Sequence, residues 1–446
     1  MQITDQPAPD ASRAPGARHS PAYLLAVLTL IGTVNWADRQ VVPILFPAIR
    51  QDLGLNDTEL GTIGGLAFSL IYAISSFGFG YAADRLVRKY ALAFGLVAWS
   101  IATAASGLAV DFWTLFWARF FTGVGEASLY PCALSLIAER IAPQQRGRAL
   151  GLFAAAAALG GGLGVGLGGR LVQSLDWRSV FFIYGAAGLI CLPAVLSLPE
   201  GRRIRSGADS ESSWVAVRAA LADRRLRWLW LTGTLAMASG QGFAAWVPSY
   251  FVRELGLDIT SAGALFGAAA LIGGIVGGFM GGMLADRRRR LRTGGEFDVA
   301  FAAAFAGALL VLLTLQGRGA ASALGGLLST LAIYALFPGL LSAMLSFVPA
   351  HRHGVTGAIN TLCLGGIGAA SGPFIVGVAS DRLGDLHAAL YLPVAGLIAA
   401  GLSAVRAGQV TRAVASEAQP DSASPNAVRR TLGSSAPPSS RGASGE

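Results

Sequence analysis

The sequence predicts an all-α membrane protein whose twelve transmembrane helices form two six-helix, pseudo-symmetric halves. Three observations predict it. Of 446 residues, 53% are hydrophobic and only 13% charged, glycine alone accounts for 59, and mean hydropathy is +0.56; soluble domains carry about 25% charged residues. Apolar runs longer than the roughly 18 residues that cross a bilayer recur along most of the chain. The chain also repeats itself. Gly80-Tyr-Ala-Ala-Asp84-Arg85 returns as Gly282-Met-Leu-Ala-Asp286-Arg287 at an offset of 202, and Pro143-x-x-Arg146-x4-Gly151 returns as Pro349-x-x-Arg352-x4-Gly357 at 206. Gly160, Gly162 and Gly166 return as Gly366, Gly368 and Gly372, also at 206. Repeated halves with a site between them are the plan of secondary transporters.

The elements follow in order. Residues 1–21, with Pro7, Pro9, Pro15 and Pro21, read as a polar N-terminal tail. The tail lacks the basic start, apolar middle and cleavage site of a signal peptide, so targeting falls to the first span. The first half occupies 22–199, with spans near 22–49, 61–83, 91–110, 112–138, 149–173 and 178–199. An Arg- and Ser-rich linker over 200–227 separates it from the second half, 228–407, with spans near 228–252, 260–285, 299–316, 321–348, 355–380 and 387–406. The Ser/Pro/Ala-rich end, 408–446, has too few apolar residues to offset ordering entropy and reads as a disordered tail. Cys132, Cys191 and Cys363 all fall inside apolar runs and read as small buried hydrophobes.

The tails and the loops after spans 2, 4, 6, 8 and 10 hold 26 Lys and Arg residues, against 6 in the opposite loops. Cytoplasmic loops carry such an excess, so both termini and the linker are expected in the cytoplasm. The same asymmetry accounts for the net charge of +9 and the pI near 10 without any nucleic acid.

Charges deep in a span are the informative ones, because one at mid-bilayer costs at least about 2.5–3.5 kcal/mol. Span 1 carries Asn35-Trp-Ala-Asp38-Arg39-Gln40, and span 4 carries Arg119 and Glu126. Seven residues apart, Arg119 and Glu126 share one helix face roughly 10 Å apart along the axis, and Thr122 and Tyr130 extend that stripe. These charges serve either as structural ion pairs, Asp38 with Arg119 or Arg39 with Glu126, or as a transport site. The second is the expectation: Asp38 and Glu126 carry the proton, and Arg39 and Arg119 hold an anion.

The second half has no equivalents, since Gly325 and Ala332 stand at the positions matching Arg119 and Glu126. It offers an aromatic stripe containing Trp246 and Tyr250 on span 7, and Asn360 on span 11. The expected substrate contacts are therefore Arg39, Arg119, Asn35, Thr122, Tyr130, Trp246, Tyr250 and Asn360. A cavity charged on one side and apolar-aromatic on the other suits an amphipathic ligand.

Gly80, Asp84, Arg85, Arg88 and Lys89, echoed by Gly282, Asp286 and Arg287, are expected to form a conformational latch. Glycine lets helices approach, and the aspartate can pair with an arginine or a helix N-terminus to hold one state. Several activities are excluded. Lys89 is the only lysine and precedes Tyr90, which leaves no Walker A loop and no Schiff-base lysine inside a span. His19, His351, His353 and His387 show no metal-ligand spacing, and no nucleophile–base motif is present. No cofactor, metal or covalent step is expected, so the protein is not an enzyme.

The twelve-span plan, with the Gly80–Lys89 loop and its echo, resembles the major facilitator superfamily over about 22–406. Within it, four segments are similar to the Spinster lipid-transporter family. They are Asn35-Trp-Ala-Asp38-Arg39, Asp84-Arg85-Leu-Val-Arg88-Lys89-Tyr90, Trp99-Ser100, and Arg119-x3-Gly123-Val-Gly125-Glu126-Ala127-Ser128 followed by Ile137-Ala-Glu139. The anion:cation symporter family shares the Asn-x-x-Asp-Arg and Gly-Glu-Ala segments, whereas Arg-Lys-Tyr and Gly-Glu-Ala-Ser favour Spinster. Two departures stand out: Val87 in place of the superfamily glycine, and Glu139 where many Spinster proteins have aspartate. The resemblance implies a proton-linked carrier of lysophospholipids or sphingosine-phosphate-like lipids, with coupling roles at Asp38, Arg39, Arg119 and Glu126. The expected partners are a small-molecule or lipid substrate, protons and membrane lipids, for a monomer. The scarcity of lysine points to a high-GC bacterial genome and hence to a bacterial inner membrane.

Overall fold

The computed structural model describes residues 20–198 and 213–417, except the side chains of 82–85, 213 and 350. Within them each expected span is a long helix. The first half comprises α1 (Pro21–Leu53), α2 (Asp57–Tyr81, with helical backbone on to Arg85), α3 (Arg88–Ser106), α4 (Phe112–Arg140), α5 (Arg146–Ser174) and α6 (Trp177–Leu196). The second comprises α7 (Arg224–Arg253), α8 (Ile259–Leu291), α9 (Gly295–Gln316), α10 (Ala320–Phe347), α11 (His353–Leu383) and α12 (Leu386–Glu417). Among the described residues nine helices are long and apolar enough to cross a membrane. α1, α3 and α7 are long but less apolar: α1 carries the buried charges, and α3 and α7 open on Arg88-Lys89 and Arg224-Arg225.

Helix starts are set by local chemistry. Ser20 caps α1 by accepting from the Tyr23 amide, with Pro21 in the first turn, where no amide donor is needed. Asn56 and Glu59 form a reciprocal capping box on α2, and Asp111, Asp176, Asp223, Asp258 and Asp385 cap later helices.

Glycines close matching seams in the two halves, although not repeat mate for repeat mate: Gly162 faces α8 and Gly366 faces α2. A Cβ on Gly160 would lie 2.3 Å from the Thr33 carbonyl oxygen and one on Gly164 2.4 Å from that of Ala37, so α5 packs backbone to backbone on α1. A Cβ on Gly372 would lie 2.1 Å from the Ala238 carbonyl oxygen and one on Gly368 2.9 Å from that of Thr234, which places α11 on α7 in the same way. Three π-helical turns interrupt the ladders of α2 (Thr62–Leu66), α8 (Gly273–Gly277) and α11 (Thr361–Gly368). Such turns re-aim the side chains around them.

The cores divide unevenly. At the end opposite the chain termini one apolar core spans both halves, joining Phe46, Leu60 and Trp177 to Trp246, Phe251 and Leu390. Toward the termini each half has its own, around Leu28, Trp99 and Leu136 in one and Trp230, Phe297 and Leu340 in the other.

Two expectations are corrected and one boundary moves. Of the linker over 200–227, residues 200–212 lie outside the described residues; Ser213–Ala222 is a helix, and α7 begins at Arg224 rather than 228. The expected tail from 408 is helical through Glu417, because Ala407, Gly408 and Thr411 are buried and Gly408 packs near Gly294 and Phe297; residues 418–446 lie outside the described residues. Gly80 is not a helix contact, since a Cβ there meets nothing within 4 Å, and on α8 the close approach falls at Gly281, whose Cβ would lie 2.1 Å from the Ala335 carbonyl oxygen, rather than at Gly282.

Candidate functional site

A cavity of about 100 Å³ lies between the halves. Its walls come from α1 (Trp36, Arg39, Gln40), α2 (Phe68, Ser69, Tyr72), α4 (Arg119), α7 (Met237, Gln241, Ala245) and α11 (Gly365, Ala369, Pro373). The π-turns of α2 and α11 bring Gly64 and Gly365 to its wall. Both cations belong to the first half, and the second contributes an apolar wall broken only by Gln241.

The deep charges assemble as two pairs. Arg39 donates from Nη2 to Glu126 Oε2 at 2.9 Å, and Arg119 Nη1 lies 3.6 Å from Asp38 Oδ1. Thr103, on α3, donates to the other Asp38 oxygen at 2.6 Å. Asp38, Arg119 and Glu126 are at most 1% exposed, whereas the Arg39 side chain is 20% exposed and lines the cavity. The structural pairing is therefore realised in this conformation, and Arg39 and Arg119 still reach the cavity wall. Spare capacity remains: Asp38 Oδ1, Glu126 Oε1, Arg39 Nε, and Arg119 Nε and Nη1 are buried without a hydrogen-bond partner among the described residues. Buried charge is retained only at high cost, and such a set has room to change partners.

The other expected contacts distribute around this site. Asn35 is fully buried one turn from Asp38 and does not line the cavity. Thr122 returns its hydroxyl to the Ala118 carbonyl at 2.9 Å. Tyr130 accepts from Trp36 Nε1 at 3.0 Å and thus supports the wall from behind. Asn360 stands just before the α11 π-turn, away from the cavity. Trp246 and Tyr250 are corrected from wall to packing residues. Trp246 is buried against Phe46 and donates to the Pro373 carbonyl at 2.8 Å, and Tyr250 donates to the Leu315 carbonyl at 3.1 Å. The apolar wall is formed instead by Met237, nine residues before Trp246 on α7, by Ala245, its immediate neighbour, and by Pro373 on α11.

Of the expected latch, the side chains of Asp84 and Arg85 lie outside the described residues. Arg88 pairs with Glu139 on α4, Lys89 lies 5.3 Å from the Tyr90 ring, and Asp286 and Arg287 are exposed.

A second polar cluster, which the sequence reading did not single out, joins the halves at the end opposite the termini. Asp57 is 3% exposed and accepts from Arg50 of its own half. From the other half it accepts from Arg253 at 2.9 and 3.0 Å and from Ser380 at 2.6 Å. Asp381 accepts in return from the amides of Asp57 (3.0 Å) and Thr58 (2.7 Å), at the first turn of α2. The sequence carried little signal for this cluster, because Asp57 and Asp381 sit at span ends among Arg50, Asp52, Glu59, Arg382 and Asp385, where charge is ordinary.

Comparisons with known proteins agree with this fold. A family model described as Major Facilitator Superfamily matches residues 28–373. An MFS-type efflux pump of Mycolicibacterium smegmatis is 28% identical over 375 residues, covering 82% of this chain and 87% of that protein. Protein spinster homolog 1 of Bos taurus is 28% identical over 393 residues, covering 81% and 73%. A probable galactarate/D-glucarate transporter of Bacillus subtilis is 27% identical over 438 residues, covering 90% and 94%. In fold, the chain is similar to the crystal structure of a bacterial homologue of the human lysosomal transporter Spinster in an inward-facing conformation, with a TM-score of 0.74 at 22% identity over 89% of this chain and 97% of that one.

Proposed function

Because the chain belongs to the Major Facilitator Superfamily, as a Spinster-like membrane transporter and not an enzyme, we propose that it moves an anionic amphipathic substrate, a lysophospholipid or sphingosine-phosphate-like lipid, by proton-coupled alternating access. The observation that carries the reading is the pair of carboxylate–arginine contacts, Glu126 with Arg39 and Asp38 with Arg119, set behind a cavity that both arginines reach. A proton on Glu126 releases the Arg39 edge, and a guanidinium edge can bind a phosphate or carboxylate through two parallel N–H groups. An anion that takes Arg39 leaves Glu126 without its cation, so proton and substrate travel together. The apolar wall of Met237, Ala245 and Pro373 receives the chain of the substrate. Both termini face the cytoplasm of a bacterial inner membrane, which makes the conformation with separate cores near the termini the inward-facing one.

A second reading, symport of small organic anions, is favoured by the cavity itself. Its volume of about 100 Å³ is well below the roughly 300–1,000 Å³ of sites for drug-sized ligands. The galactarate/D-glucarate transporter among the relatives supports the same reading.

The test is uptake of radiolabelled lysophosphatidate and of glucarate into proteoliposomes under an imposed pH gradient. The expected outcome is gradient-driven lysolipid uptake that the Asp38→Asn/Glu126→Gln double variant loses while retaining exchange. Glucarate uptake alone selects the second reading, and gradient-driven uptake unchanged in the double variant makes the buried charges structural.

A further inference from the structure

We infer that Trp36, Phe68 and Tyr72 form an aromatic box that positions Arg39 for the substrate anion independently of Glu126; the inference rests on the proposed role of Arg39 in anion binding. The Arg39 Cζ lies 4.7 Å from the Trp36 ring centroid, 4.6 Å from that of Phe68 and 4.4 Å from that of Tyr72. All three rings are within cation–π range. They come from two helices at spacings that face one site: Trp36 sits three residues before Arg39 on α1, and Phe68 and Tyr72 are four apart on α2, with their rings stacked at 5.8 Å. The box is itself held from outside. Trp36 donates to Tyr130, whose ring meets Phe153 edge-on at 5.2 Å. α2 is pressed onto α4 at Gly123, where a Cβ would lie 2.8 Å from the Phe68 carbonyl oxygen.

Arg39 is thus engaged in two chemically different ways. The rings attract the guanidinium as a cation, a contact that does not depend on the carboxylate. Glu126 takes one N–H group through a single bond at 2.9 Å, and Nε is buried with no hydrogen-bond partner among the described residues. An arginine held by its carboxylate alone would swing away when that carboxylate is neutralised. Held by the box, it stays at the cavity wall and presents its edge to the incoming anion. The rings attract a lysine as well, but its point charge has no planar fork to present to the anion.

The test uses the full-length protein in nanodiscs, with lysophosphatidate and glucarate as probes, and reads Kd, KM and kcat. Phe68→Leu/Tyr72→Leu is expected to weaken binding of the transported anion about tenfold and raise KM with little change in kcat, both alone and in a Glu126→Gln background. Phe68→Tyr and Tyr72→Phe, which keep the ring faces, should bind within twofold of the parent, and Arg39→Lys should lose binding despite its charge. A double leucine variant with a normal melting temperature and unchanged Kd overturns the box, as does weakened binding confined to proteins with an intact Glu126. If the double variant melts early, Phe68→Tyr or Tyr72→Phe losing binding as severely as leucine overturns it too. Failure of the parent protein to bind either anion overturns the proposed function together with the box, whereas normal parental binding with insensitive variants overturns the box alone.

Discussion

Thr103 shows how much of a buried charge site is invisible one residue at a time. A threonine in an apolar helix ordinarily returns its hydroxyl to the carbonyl four residues back, as Thr122 does to Ala118, so nothing in the sequence separates the two. In the fold Thr103 faces α1 and supplies the only hydrogen bond made to the Asp38 carboxylate among the described residues. Thr103→Val keeps the shape and removes the donor, leaving a buried carboxylate oxygen unsatisfied. The expected cost is about 1–3 kcal/mol, read as a lower melting temperature in detergent, with Thr103→Ser restoring most of it. An unchanged melting temperature in the valine variant would show that Asp38 does not depend on this bond. Asp38, Arg39, Arg119 and Glu126 were legible because charge in an apolar span demands a reason. Trp246 and Tyr250 were misread because an aromatic residue at helical spacing looks the same whether it lines a cavity or glues two helices.

At the scale of elements, glycine position carries the seams between helices. Gly372→Ala places a methyl group against the Ala238 carbonyl oxygen, and α11 must shift from α7. Overpacking of that kind costs about 1–3 kcal/mol. Gly80→Ala has open space around it and also removes a helix-weakening residue, so it should leave stability unchanged or slightly raised. Thermal melts of the two variants decide the matter, and equal destabilisation would mean that the Gly80 seam closes in another conformation. The repeat made both glycines visible, but only the packing shows that Gly160 and Gly372 close matching seams while Gly162 faces α8, Gly366 faces α2 and Gly80 meets nothing. The extension of α12 has a related cause. Residues 408–417 look like tail by composition, yet Gly408 and Thr411 find a neighbouring helix to pack on.

At the scale of the whole molecule, the Asp57 cluster holds the halves together at one end. Asp57 has Arg50 in its own half to fall back on, so parting the halves does not strand its charge, and the interaction lost is that with Arg253 and Ser380. Asp57→Asn should therefore favour the conformation open at this end without unfolding the protein. In a cysteine-free background, a cysteine at Ala245 in the cavity wall is expected to react at least tenfold faster with a reagent supplied from that side. No change in reactivity would show that the shared apolar core and the Asp381 bonds to the Asp57 and Thr58 amides keep this end shut without the Asp57 carboxylate. For orientation, a cysteine at Thr293, between α8 and α9, should resist an impermeant reagent added to intact cells, and labelling there would invert the topology proposed from the 26-to-6 charge count.

The sequence by itself determined the membrane class, the twelve spans, the division into repeated halves and the four buried charges. Each of these follows from the cost of placing polar groups in hydrocarbon, a constraint that acts on every residue locally and so leaves its mark in composition and spacing. Only the tertiary structure decided which carboxylate meets which arginine, which aromatic rings surround Arg39, that Thr103 serves Asp38, and that Asp57 bridges the halves. Those contacts join residues dozens to hundreds of positions apart. Their geometry is set by how close the glycine seams allow the helices to come, and no single span contains that information.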